Sequence, residues 1–367
     1  MANWSTLLDH LANGPREDGT AALTNTANWL AEELQRRGLT PERFDWVAHP
    51  WRLRAVGVVA LLAAVGYAVA MLKRRHLAAA MIAVAVPAYV VLELEFGVPL
   101  LGPLYAAPQQ HLIATVAPVG PPRARVIFSA HYDTKTDLLD HVERAPITAL
   151  GLPLALLMLV AALRPRPRLT RIAVAGALLN GLGMFLAQTG GAFVPSRSPG
   201  AVDDGAGCAV LLELASRLEP LQHTEVRLIF FSGEEIGIEG SRAYVAAMDR
   251  SLPTRVVNLD GVGMSSELSL YRSESGVLRS FPPDPALVAT VEQVTPLHHA
   301  WYPATTDARA FLEAGVGAVN LSSELPGHPL PRGMHSRADT RERVDLKALD
   351  WTVQVLVAVA RELDRGS

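Results

Sequence analysis

The stretch EVRLIFFSGEEIGIEG (residues 225–240) begins as an apolar run, breaks at a glycine, and then presents two adjacent acids, Glu234 and Glu235. A short apolar run rich in Val, Ile and Phe and bounded by a glycine reads as a buried strand. Two further runs have the same form: RARVIFSAHYD (residues 123–133) ends in His131 and Asp133, and RVVNLD (residues 255–260) ends in Asp260. Helical patterns lie between them, in DDGAGCAVLLELASRL (residues 203–218) and GSRAYVAAM (residues 240–248). Strands alternating with helices predict an α/β fold, three layers deep, with a largely parallel sheet covered on both faces. In an open sheet of this kind, ligands bind outside the carboxyl ends of the strands. Three strand tips therefore bring acids and an imidazole to one edge.

Around this core the pattern continues. NTANWLAEELQRRG (residues 25–38) has an Asn/Thr start, apolar residues at helical spacing and a glycine stop, which predicts an amphipathic helix. QHLIATVAP and RARVIFSAHYD, separated by Gly and Pro, predict a strand pair. Net charge is −3 over 367 residues with no long basic block, so nucleic acid has no electrostatic footprint here. The single cysteine, Cys208, excludes an internal disulfide framework and a cysteine-rich metal site. Any metal must be held by histidine and carboxylate.

Half of the residues are hydrophobic, and the excess sits in four places. AVGVVALLAAVGYAVAML (residues 55–72) is free of charge and, at about 1.5 Å per helical residue, nearly crosses a hydrocarbon core. After KRRH comes LAAAMIAVAVPAYVVL (residues 77–92), extendable through apolar residues toward Leu101. Residues 146–163 and 172–187 repeat the arrangement around RPRPR. Two transmembrane helical hairpins are expected, and the first does the targeting, since residues 1–18 lack the form of a signal peptide.

The loop PGAVDDGAG (residues 199–207) adds Asp203 and Asp204 to the strand-tip acids, and GMHSRADT (residues 333–340) adds His335 and Asp339. Each signal is ordinary alone: an Asp pair before a helix is usually a cap, and adjacent glutamates usually complement a helix dipole. Together, two imidazoles and several carboxylates form the donor set of a cysteine-free zinc site. The ordered set His131, Asp133, Asp203, Glu234, Glu235, Asp260 and His335, together with QQHLIATVAPVGPPRARVIFSAHYDT (residues 109–134), resembles the co-catalytic di-zinc aminopeptidase family, which includes glutaminyl cyclases. The resemblance implies two Zn²⁺ per chain, with His131 and Asp260 on one, Glu235 and His335 on the other, and Asp203, four residues before Gly207, bridging them. It further implies Glu234 as general base and Asp133 as the residue orienting His131. Two departures stand out. Val202 occupies a position where the family often has an acid, and TDARAF (residues 306–311) keeps Asp307 and Phe311 of the family's Ser-Asp-His-x-x-Phe segment but has Ala308 for its histidine.

The expected organisation is an α/β/α zinc-exopeptidase domain interrupted by two hairpins. Residues 1–54, 102–145 and 195–367 build the domain; residues 55–101 and 146–194 are the hairpins. The implied function is a membrane-bound aminopeptidase acting on peptide substrates. Carboxypeptidase, glutaminyl cyclase and a non-catalytic membrane receptor on the same fold are the alternatives. Lys73, Arg74 and Arg75 in one short connection and Arg164, Arg166 and Arg168 in the other place those turns in the cytoplasm, hence the domain on the far side.

Overall fold

The structure, a computed structural model, describes residues 3–300, 305–323 and 332–366. In chain order it starts with α1 (Trp4–Leu11), α2 (Ala21–Arg36) and β1 (Glu42–Ala48), then α3 (Arg52–Leu72) and α4 (His76–Val90). Next come β2 (Ala107–Val116), β3 (Ala124–His131), α5 (His141–Leu163) and α6 (Pro167–Gln188). There follow α7 (Ala206–Arg217), β4 (Thr224–Phe231), α8 (Glu239–Ala247), β5 (Thr254–Leu259), β6 (Leu268–Tyr271), β7 (Glu274–Ser275) and β8 (Ser280–Phe281). The last are α9 (Pro285–Val294), β9 (Leu297–Ala300), α10 (Asp307–Glu313), β10 (Gly317–Ser323) and α11 (Leu346–Arg365). The chain divides into two compact units. One comprises Met1–Ala48, Ala107–Lys135 and Arg197–Ser367; the other comprises His49–Ala106 and Thr136–Ser196.

The first unit is a sheet of 8 strands in the order β1-β2-β4-β3-β5-β10-β6-β9. Pairing is parallel from β4 through β3 and β5 to β10, and antiparallel where β2 joins β4 and β6 joins β10. The period of two along a strand sorts its side chains onto two cores. Leu228 and Phe230 of β4 face one side with α2, α7 and α11, while Ile229 and Phe231 face the other with α8 and α10. Because both faces are covered, the central strands are largely apolar, and the buried Ser129, Asn258 and Asn320 bond to one another across them.

Two local expectations are corrected. β2 and β3 do not pair with each other: β4 lies between them, antiparallel to β2 and parallel to β3. Pro118, Pro121 and Pro122 stiffen the connection, which runs beside residues 221–223 instead of turning as a hairpin, with Val119, Gly120 and Arg123 donating to Leu221, Gln222 and His223 carbonyls. Helix α2 starts earlier than Asn25. Thr20 caps it by accepting from the Leu23 N–H, so Asn25 and Thr26 lie within the helix.

The second unit holds four helices long and apolar enough to cross a membrane: Arg52–Leu72, His76–Glu95, Val142–Leu163 and Pro167–Gln188. The apolar run after α4 ends as helix at Glu95, short of Leu101. The helices close into a ring, α3 packing on α4 and α6, and α5 on those same two helices. At most 44% of any span is buried within the protein, and Leu62, Met81, Leu156 and Leu179 point outward, so the ring needs an apolar surrounding. Inside it, Arg52 pairs with Glu93 at 3.2 Å, both fully buried, and the Leu100 N–H also donates to Glu93.

Close approach of α3 and α6 rests on small residues, as helix contacts in lipid generally do. A Cβ at Gly181 would lie 2.5 Å from the Ala64 Cβ and 3.0 Å from the Ala60 carbonyl, whereas one at Gly151 of α5 meets nothing within 4 Å. Overpacking of this kind costs about 1–3 kcal/mol. Gly181→Ala is therefore expected to lower the melting temperature of the detergent-purified protein by several degrees, and Gly181→Val by more, while Gly151→Ala leaves it unchanged. Differential scanning fluorimetry checks the ranking.

Candidate metal centre

The parallel register decides where the functional side chains meet. His131 lies opposite Phe231 and Ser129 opposite Asn258, so the ends of β4, β3 and β5 are level. His131 is the last residue of β3, Asp260 follows β5 directly, and Glu234 and Glu235 follow β4 after the Ser232-Gly233 step. Asp203 comes from the turn Ala201–Gly205 that leads into α7, and His335 from the segment after β10.

At this edge the Asp203 carboxylate is shared. Its Oδ1 is 3.1 Å from the His131 Nε2, and its Oδ2 is 3.0 Å from the His335 Nε2. The same His335 nitrogen is 3.0 Å from the Glu235 Oε2. Two groups of donor atoms result, His131 with Asp203 and Asp260, and Asp203 with Glu235 and His335, each having its atoms within 4.8 Å of one another. Asp203 is common to both.

The rest of the site orients these donors. His131 Nδ1 faces the Asp133 carbonyl at 3.2 Å and its Oδ1 at 3.5 Å, which leaves Nε2 as the free donor lone pair. The other carboxylate oxygen of Asp133 accepts the Glu235 N–H at 3.0 Å, so one acid orients a donor from each group. Asp204 is turned away: it accepts the His131 N–H at 3.2 Å and the Gly207 N–H at 3.1 Å, capping α7 from below.

Two residues are placed here for reasons the sequence does not signal. Asp339 accepts from the Val202 and Asp203 N–H groups at 2.8 and 3.2 Å, holding the Asp203 loop by its backbone. The buried Arg16 guanidinium donates to the carbonyls of Leu11, Tyr132, Pro199 and Gly200, tying the tip of β3 to the start of that loop. Asp339 sits four residues after His335, a hint of proximity; Arg16 lies in an unremarkable polar loop. Asp307, at the start of α10, is fully buried. Ala308 packs into the core with Phe311.

Electrostatics show what the arrangement lacks. Burial, with further repulsion from neighbouring acids, pushes Glu234 and Asp260 well above the carboxylate range and raises Glu235. Burial pushes Asp307 up to about 7. Asp203 runs the other way: burial opposes its charge, but His335 and His131 hold it well below the usual range. Buried carboxylates repelling one another, with the Glu235 Oε1 unpartnered among the described residues, are a donor set that divalent cations satisfy. Nitrogen and oxygen donors without sulfur, three protein groups to a metal, fit catalytic zinc.

The chain is similar to several known proteins. Aminopeptidase YwaD of Bacillus subtilis (strain 168) is 43% identical over 74 residues, 19% of this chain and 16% of that protein. The chain spans under a fifth of the length of the curated relatives it matches, 19% at most. Among solved structures, BSAP, a zinc aminopeptidase from Bacillus subtilis, superposes with a TM-score of 0.57 at 16% identity, covering 98% of this chain and 93% of that one. The glutaminyl cyclase of Porphyromonas gingivalis does so with a TM-score of 0.55 at 16% identity, covering 99% and 96%. The fold is therefore common to both activities. The sequence model of one peptidase family matches residues 111–360, two thirds of the chain and every residue of the centre except the supporting Arg16, and the chain accordingly belongs to Peptidase family M28.

Proposed function

We propose that this chain is a membrane-bound, zinc-dependent exopeptidase, an aminopeptidase that holds two zinc ions and uses Glu234 as general base. The observation that carries the reading is Asp203, whose two oxygens each face a different imidazole while it belongs to both donor groups. His131 and Asp260 would hold one ion, Glu235 and His335 the other, with Asp203 between. Bound zinc supplies Lewis acidity, lowering the pKa of water in the site and polarising the substrate carbonyl. Glu234, adjacent to Glu235 but in neither donor group, takes the proton of the attacking water and returns it to the departing amine nitrogen. Asp133 keeps the His131 ring in the tautomer that presents Nε2.

Charge supports amino-terminal over carboxy-terminal specificity. Asp133, Asp203, Asp204, Glu234, Glu235, Asp260, Asp307 and Asp339 surround two imidazoles, with Lys135 offsetting part of that charge at Glu235. Two divalent cations leave such a pocket hospitable to a substrate ammonium and hostile to a terminal carboxylate. Charge also supports the orientation. The basic turns at residues 73–75 and 164–168 are exposed, whereas Arg52 at the opposite end of α3 is neutralised by Glu93. The basic turns would then face the cytoplasm and the zinc unit the other side.

Three experiments test this. Asp203→Asn should remove most zinc from both positions, whereas Asp204→Asn should keep the metal and lose only stability; elemental analysis of the purified variants showing the opposite ranking would mean that the bridge is misassigned. Glu234→Gln should retain zinc and lose roughly 10²–10⁴-fold in kcat, measured on free and amino-acetylated peptides; near wild-type turnover removes Glu234 from its role, and equal cleavage of the acetylated series removes the aminopeptidase reading. For orientation, a Cys208→Ala background carrying one new cysteine at Pro165 or at Ser367 is labelled in intact cells with an impermeant thiol reagent. Labelling at 367 alone is expected, and labelling at 165 alone puts the peptidase inside the cell.

A further inference from the structure

The turn between β4 and α8 carries both Glu234 and Glu235, and its two feet touch. A Cβ at Gly240 would fall 1.8 Å from the Ser232 carbonyl oxygen, and the Glu239 N–H donates to the Gly233 carbonyl at 2.9 Å. At its top the turn is held by Asp133, which accepts the Glu235 N–H. At its base a single side chain from another strand spans both feet. His111 of β2 accepts the Ser232 N–H on Nδ1 at 3.2 Å and donates from Nε2 to the Gly240 carbonyl at 3.0 Å. Since an amide N–H can only donate and a carbonyl can only accept, these contacts require the neutral ring with its proton on Nε2.

The ring is held in plane by its neighbours. Phe44 stacks on it at 5.5 Å and Trp46 at 5.3 Å, with Phe231 edge-on at 5.0 Å. Trp46 also reaches the turn, its Nε1–H donating to the Ser232 Oγ at 3.2 Å, and leaves no room for a side chain at Gly233, where a Cβ would lie 2.5 Å from its ring. Gly233 has φ +80°, the left-handed region that turns the chain sharply between Phe231 and the acids.

We infer that His111 is the positioning residue of the Glu234–Glu235 turn, fixing where the general base and a zinc donor stand by joining both feet of that turn through one flat ring. The inference rests on the roles proposed for those two glutamates. An apolar residue of similar volume would fill the space yet leave the Ser232 N–H buried and unpaired and break the link to the Gly240 carbonyl. Burial holds the imidazole down at about 3, so the neutral form persists across the range in which a peptidase works.

The test uses the full chain in detergent, comparing wild type with His111→Phe, which keeps the ring stack, and His111→Asn, whose amide can offer one acceptor and one donor. Displacement of a catalytic group by an ångström or less costs up to roughly 100-fold in rate, so His111→Phe should lose about 10- to 100-fold in kcat while KM stays within about twofold. His111→Asn should recover part of that loss. Amide hydrogen exchange at residues 232–240 should accelerate in His111→Phe while β4 itself stays protected, and zinc per chain should hold. Wild-type kcat and exchange in His111→Phe, or exchange rising equally through the whole sheet, would overturn the inference. If the wild-type chain cleaves no peptide the proposed activity fails on its own, and exchange at residues 232–240 still decides the role of His111.

Discussion

The structure turns on one buried carboxylate shared by two imidazoles. Asp203 is paired on one oxygen with the last residue of a central strand and on the other with a histidine more than a hundred residues further along the chain. Everything else at this edge of the sheet is consistent with that sharing. Parallel pairing of β4, β3 and β5 levels three strand ends, which brings Glu235 and Asp260 to either side of the shared acid. The cost is a concentration of buried like charge, seen in the upward push on Glu234, Glu235 and Asp260. Such a pocket favours divalent cations, whose charge offsets the repulsion among its acids.

Holding acids against their mutual repulsion requires backbone restraint, and the chain supplies it from several directions. Asp339 accepts two N–H groups of the Asp203 loop, Arg16 binds carbonyls on both sides of it, and Asp133 and His111 fasten the Glu234–Glu235 turn from above and below. These groups act through main-chain hydrogen bonds. A site of this kind tolerates little local motion, because donors displaced by even a fraction of an ångström lose their common focus.

The helical unit obeys a different rule. Lipid gives no hydrophobic reason for helices to associate, so packing depends on close approach and on a few internal hydrogen bonds. Gly57 and Gly181 allow that approach between α3 and α6; Tyr67 donates to the Met158 carbonyl and Asn180 to the Ile147 carbonyl, linking the two hairpins and the two helices of the second. The buried Arg52–Glu93 pair removes one positive charge from the end of the bundle opposite the basic turns.

Much of this was legible in the residues themselves. Apolar runs ending at His131, Glu234 and Asp260 set the strand tips, because a strand buried on both faces must be apolar and polarity marks its end. Four long uncharged runs set the membrane helices, because a hydrocarbon core fixes their length. Other features were out of reach of any local pattern. That β4 inserts between β2 and β3 depends on which edge each strand finds. Why His111 and Arg16 matter is decided by contacts between residues far apart in the chain. Sequence determines periodicity, charge and the order of donors, since these are properties of neighbouring residues. Only the tertiary structure decides which donors meet and what holds them still, since both follow from distances across the sheet that no spacing along the chain encodes.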